Sequence, residues 1–214
     1  MYTVGIPYAI RYGFFYFRRV FMKTEKYRWI VSLVEGAVMV ALAIVLDLIP
    51  FPEWPQGGSI TVSMVPIVYY SYRHGWKWGL LAGTVNAAVQ IITGWSAPPA
   101  GTFVSFVLCA LLDYLIAFAV IGIADVFAKP FKKHRIAGYA VGAFVVSMIR
   151  YLSSFLSGWI LWDAYAPEGM PAWLYSLTYN GSYMIPNAIL TAVLVTLICL
   201  AVDPATLRPM KKRK

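Results

Sequence analysis

Six apolar runs, at about 29–49, 59–72, 76–93, 103–128, 136–163 and 173–202, are separated by connections that carry either nearly all of the positive charge or none of it. Arg11, Arg18, Arg19, Lys23, Lys26 and Arg28 precede the first run, and Arg73 and Lys77 lie at the join of the second and third. Lys129, Lys132, Lys133 and Arg135 join the fourth and fifth, while Arg208, Lys211, Lys212, Arg213 and Lys214 follow the sixth. The connections 50–58, 94–102 and 164–172 contain no Lys or Arg. Because basic residues collect on the cytoplasmic side of a membrane, this alternation predicts six crossings with both termini inside, and an odd count would break it. A net charge of +9 in a chain that is 60% apolar and only 13% charged therefore reads as membrane topology and not as a nucleic-acid surface.

The expected fold class is an all-α membrane protein, a six-transmembrane-helix bundle. A membrane helix needs about 20 residues, so runs one, four, five and six are long enough, whereas two and three are short and Pro66 interrupts run two. The expected organisation is an N-terminal cytoplasmic or interfacial segment at 1–28, a membrane domain at 29–202 and a basic cytoplasmic tail at 203–214. The stretch IRYGFFYFRRVF fits either a helix lying on the leaflet or a lead-in to the first span. No cleavable signal is expected, since the aromatic and basic N-terminal stretch has no small-residue cleavage site after an apolar core.

Several chemistries lack their residues. There is no GxxxxGK[ST] loop for ATP, and His74 and His134 both fall in connections, which leaves no HExxH pair and no histidine at depth. Cys109 and Cys199 lie inside apolar runs and form neither a metal motif nor a disulfide framework. Asp113 has no obvious second acid at depth to make a catalytic pair. The expectation is a protein that is not an enzyme and uses no cofactor or metal.

Ionisable groups at membrane depth are costly and mark functional sites by default. Asp113 lies ten residues into the fourth run, about 15 Å down at helical rise. Arg150 is the one basic residue outside the clusters, near the middle of the fifth run, so an Asp113–Arg150 helix staple is one reading. The other is a solute site. Ser154, Gly158 and Trp162 fall at i, i+4 and i+8 on one helical face, and Tyr175, Tyr179 and Asn180 open the sixth run. A carboxylate, aromatic rings and an amide converging in one bundle suit a flat cationic heterocycle. In the first run, Ala37 and Ala41 are one turn apart and would let another helix approach closely.

The segments EGAVMVALA, GGSITVSMVPIVYYSYRHGWKWGLLAG, LLDYLIAFAVIGIADVF and RYLSSFLSGWILWDAYAPEGMPAWLYSLTYNG, within about 33–200, carry a resemblance to a known family. The sequence resembles the ThiT/YuaJ family, the thiamine-specific substrate-binding (S) components of energy-coupling factor transporters. The resemblance implies six helices with both termini inside, in a bacterial plasma membrane. It also implies thiamine as ligand, and a separate transmembrane scaffold (T component) with two ATPase subunits as partners. The family's carboxylate–tyrosine pair matches Asp113–Tyr114, with Asp where Glu is usual. Its helix-five glycine and tryptophan match Gly158 and Trp162, its later tyrosine and asparagine match Tyr175 and Asn180, and its first-loop tryptophan matches Trp54. Ser154 stands where a histidine is usual and Asn86 where a tryptophan is usual. Ala37 and Ala41 match the motif for docking on the scaffold. Three alternatives stay open: an S component for a thiamine precursor or another vitamin-like heterocycle, a stand-alone carrier using Asp113 as proton site, and a structural protein stapled by Asp113–Arg150.

Overall fold

The structure, a computed structural model, describes residues 25–49 and 54–208. These residues are helical in six rods, which we label α1 (Glu25–Asp47), α2 (Met64–His74), α3 (Trp76–Thr93), α4 (Phe103–Phe131), α5 (Arg135–Leu161) and α6 (Ala172–Ala201). The chain divides into two units, Met1–Glu35 and Gly36–Lys214. In the first, the described residues form the opening turns of α1, where Ser32 Oγ donates to the Arg28 carbonyl at 3.0 Å. Everything below concerns the second. Residues 1–24, most of the segment read either as a leaflet helix or as a lead-in to the first span, and most of the basic tail lie outside the described residues.

Four of the rods are long and apolar enough to cross a membrane: Tyr27–Asp47 in α1, and all of α4, α5 and α6. The second run departs from its expected bounds. Its helix begins at Met64 rather than at 59 and has 11 residues, about 16 Å, roughly half of a hydrocarbon core. Pro66 falls in the first turn, where its missing N–H would have had no partner in any case. Residues 59–63 are non-helical, and their backbone is satisfied from α6. Thr61 N–H donates to Asn187 Oδ1 and Asn187 Nδ2 donates to the Ser59 carbonyl, both at 2.8 Å. Irregular backbone at membrane depth is tolerated where protein supplies its hydrogen bonds, and one buried amide does so here. Met64 to Tyr72 are all buried, as expected of a short helix apolar on every side.

The helices meet through glycine. A Cβ added at Gly79 of α3 would fall on the backbone of Gly122 in α4, and one added at Gly122 on the backbone of Gly79, so these two helices cross main chain to main chain. Along α4 the crossing coincides with a 3₁₀ stretch, Val120–Ile123, and a π-helical stretch, Ala110–Ile116, precedes it. Thr102 and Ser105 cap the start of α4 reciprocally, each side chain taking the other's backbone N–H. Gly158 of α5 is the third close approach, filled by Ser176 and Asn180 of α6.

At the opposite end of α5 and α6, Arg135 grips Asp203 with both arms, at 3.1 and 2.9 Å, and its Nη2 also donates to Tyr139 Oη at 2.7 Å. Burial pushes the Asp203 carboxyl up, but the Ala205 N–H and the Arg135 guanidinium outweigh it and hold Asp203 below the usual carboxylate range.

Two predictions follow from this packing. Gly122→Ala is expected to destabilise the protein by about 1–3 kcal/mol, read as a lowered thermal midpoint in detergent, because its methyl meets backbone that cannot yield. Gly94→Ala, whose methyl would find its nearest neighbour at 3.6 Å, is expected to change little. For Asp203, a folded pKa below the unfolded value of about 3.9 means that the ionised form stabilises the protein above that pH. The contribution is lost as pH falls through the lower folded value. The gap in thermal midpoint between the native protein and Asp203→Asn is therefore expected to hold steady down to about pH 5 and to narrow as pH falls below about 4; a gap that does not narrow in acid would contradict the latch.

Candidate functional site

The end of the bundle away from the Arg135–Asp203 pair encloses a cavity of ≈ 290 Å³. Its wall is drawn from the last residue of α1, the loop before α2, the connection after α3, the middle of α4, the second half of α5 and the first half of α6. That volume sits near the lower end of the 300–1,000 Å³ usual for small-molecule sites.

Asp113 is set in the wall by the π-helical stretch of α4. A π turn widens the helix by one residue and re-aims the side chains that follow, a device concentrated at functional sites. One carboxylate oxygen, Oδ2, accepts from Ser157 Oγ at 2.6 Å and Trp162 Nε1 at 3.1 Å, both at the end of α5, and lies 3.5 Å from the Cys109 thiol one turn back on α4. Among the described residues the other oxygen, Oδ1, has no donor. The carboxylate is thus fixed by one oxygen and open at the other.

The neighbouring Tyr114 does a different job. Its hydroxyl donates to the Gly94 carbonyl at 2.7 Å and accepts from Ser96 N–H at 2.9 Å, and its ring stacks on Trp95. It ties down the connection after α3 and presents its ring to the cavity.

Ser154, Gly158 and Trp162 all line the cavity, so the face expected from their spacing is the one that points inward. Trp162 also stacks on Tyr165. Tyr175, Tyr179 and Tyr183, one turn apart along α6, make an aromatic edge on which the loop before α2 is pinned. Tyr175 Oη donates to Gln56 Oε1 at 3.1 Å, Tyr179 Oη accepts from Gln56 N–H at 2.8 Å and donates to the Gly57 carbonyl at 3.0 Å. Gly57 and Gly58 both have positive φ, and Gly58 packs so closely on the Tyr183 ring that a methyl there would overlap it. Asn180 lines the cavity with its amide already committed: Nδ2 donates to the Ser176 carbonyl at 3.0 Å, and Oδ1 accepts from Tyr183 Oη at 2.6 Å.

Two expected residues are not on the wall. Asn86 is buried on α3, and its Oδ1 has no hydrogen-bond partner among the described residues. Trp54 packs against Tyr183 at 5.7 Å between ring centroids and reaches the cavity only through that ring. The helix staple is also absent: Asp113 takes its donors from Ser157, Trp162 and Cys109, and the Arg150 guanidinium lies 4.3 Å over the Phe118 ring. A second carboxylate does reach the wall, contrary to expectation. It is Asp47, which accepts from Thr61 Oγ1 at 3.1 Å and Gln90 Nε2 at 2.8 Å. The sequence signals for the missed residues were slight. Ser157 sits three residues after Ser154 on the same broad face, and Asp47 looks like an interfacial acid closing the first run. Gln56 lies in a loop whose course no periodicity fixes.

A multi-pass helical membrane protein with a polar, aromatic-walled cavity enclosed at one end is built to hold a small solute. The chain belongs to the family described as Thiamine transporter protein (Thia_YuaJ), whose model matches residues 33–206. Thiamine transporter ThiT of Bacillus subtilis (strain 168) is 37% identical over 179 residues, which cover 79% of this chain and 90% of that protein. Thiamine transporter ThiT of Lacticaseibacillus paracasei is 28% identical over 179 residues, 80% and 88% of the two chains. ThiT from Listeria monocytogenes, a solved structure, shares the fold at a TM-score of 0.69 and 24% identity, over 83% of this chain and 97% of that one. The family is one of transporters and not of enzymes.

Tyr179→Phe removes both hydrogen bonds that pin Gln56 and Gly57. Amide hydrogen exchange in a peptide covering 54–60 is expected to accelerate by roughly tenfold, the loss of about 1–1.5 kcal/mol, with 110–116 unchanged.

Proposed function

We propose that the protein is the substrate-binding S component of an energy-coupling factor transporter and binds thiamine from the outer side of a bacterial plasma membrane. The observation that carries this reading is Asp113, a carboxylate at membrane depth with one oxygen fixed by three donors and the other facing a cavity walled by aromatic rings. Thiamine joins a permanently cationic thiazolium to an aminopyrimidine. Asp113 Oδ1 offers charge pairing or an acceptor for the amino group, and the Trp162 face offers a ring to stack against. Hydrogen-bonding Trp162 Nε1 to Asp113 ties the two recognition elements into one unit, so ring and carboxylate keep a fixed separation.

Tyr175 and Tyr179 contribute aromatic edge and hydroxyls, and Ser154 takes a place where a larger ring would fill the pocket. Asn180 Oδ1 keeps one lone pair for the ligand, since Tyr183 takes only the other. Trp54 closes the site indirectly, by bracing Tyr183 under the pinned loop. Both termini lie inside, as the basic connections require. Movement across the membrane then falls to a separate scaffold and two ATPases, with the exposed face around Ala37 and Ala41 as the docking stripe.

Intrinsic tryptophan fluorescence of the purified protein is expected to quench saturably with thiamine. Asp113→Asn is expected to weaken binding about 10–100-fold, the worth of a charged hydrogen bond of about 1.5–3 kcal/mol. Absence of saturable quenching in the native protein would sink the thiamine reading. Uptake by cells lacking the scaffold and ATPases would sink the partner-dependent one.

A further inference from the structure

Arg150 has no evident place in holding a cation. It lines the same cavity, on α5, seven residues and therefore about 10 Å along the helix from Ser157, which marks the level of Asp113. Its Nε and Nη1 atoms are shut away and have no hydrogen-bond partner among the described residues. One face of the guanidinium rests on Phe118. Asp113 is held by its own three donors; Asp47, engaged by Thr61 and Gln90, acts on Arg150 through its charge but makes no ion-pair contact with it. A guanidinium carries five donors in a fixed plane and does not shed its proton, so one in a cavity wall with no ion-pair contact has charge and donor capacity left for an acceptor in the cavity.

We propose that the Arg150 end of the cavity is an anion subsite, which holds one small inorganic anion while the cationic ligand occupies the Asp113 end. This rests on the thiamine reading for the second occupant, though not for the subsite itself. Two positive charges about 10 Å apart in a poorly screened cavity repel each other; an anion on Arg150 removes that repulsion and lets the ligand's charge be read by Asp113 alone. The result is a cavity with a polarity, cation toward the mouth and anion toward the floor.

The test compares thiamine affinity in sodium chloride and in sodium gluconate at equal ionic strength, so that screening is the same in both. Affinity about tenfold higher in chloride is expected in the native protein and in Arg150→Lys, and equal affinity in the two salts is expected in Arg150→Gln. Equal affinity in the native protein, or a chloride effect that survives in a folded Arg150→Gln, would overturn the subsite. Thiamine esterified with phosphate on its hydroxyethyl tail separates a free anion from one carried by the ligand. Its own phosphate takes the subsite, so its affinity is expected to be alike in both salts, and a chloride gain as large as thiamine's would place the effect elsewhere. Chloride NMR line broadening reads the subsite with no thiamine present. Saturable broadening by the native protein, displaced by nitrate, is expected even if thiamine proves not to be the ligand; its absence overturns the proposal while leaving the thiamine reading intact.

Discussion

One carboxylate oxygen organises the functional end of this molecule. Asp113 Oδ2 draws donors from Cys109 on α4 and from Ser157 and Trp162 at the end of α5, and so locks the middle of α4 to the end of α5. A carboxylate away from water is costly unless hydrogen-bonded, and three donors gathered on one oxygen leave the second open on the cavity side. The π-helical stretch at Ala110–Ile116 is what aims it there. Trp162 acts twice, as donor to the carboxylate and as part of the cavity wall, so ring and carboxylate keep a fixed separation.

The rest of the bundle can be read as the means of keeping that end open without leaving backbone unsatisfied in a membrane. Where α2 is too short to cross, Asn187 supplies the hydrogen bonds that a longer helix would have made for itself. Where α3 and α4 cross, Gly79 and Gly122 let main chain touch main chain, and Gly158 of α5 makes room for the Ser176 and Asn180 side chains of α6. The cavity wall takes residues from α1, α4, α5 and α6, and none from α2 or α3 themselves. At the far end the Arg135–Asp203 pair fastens the chain after α6 to the start of α5, so the two longest-packed helices are fixed at both ends.

Much of this was legible in the sequence, for physical reasons that also explain the omissions. Charge alternation and run length report on the membrane itself, which is why six helices and their approximate bounds could be read from residue types alone. The face of Ser154, Gly158 and Trp162 was legible because a regular helix repeats its geometry. The start of α2 was not, because residues 59–63 continue the run in sequence but take hydrogen bonds from an amide more than 120 residues away instead of from a helical turn. Asn86 looked like a site residue through its alignment with a family aromatic, yet the Gly79 and Gly83 contacts seat α3 with that side chain buried outside the cavity. Arg150 and Asp113 looked like a staple because they are the two charges at depth; the π turn and the Ser157 hydroxyl give Asp113 other partners. No local pattern announces a π turn.

The central claim is that the cavity around Asp113 receives the ligand. A crystal structure of the protein grown with thiamine tests it most directly. Density for a two-ring ligand is expected within the cavity, with a ligand nitrogen within hydrogen-bonding or charge-pairing distance of Asp113 Oδ1 and one ring against Trp162. Ligand density elsewhere on the protein, with Asp113 Oδ1 facing water or empty space, would contradict it.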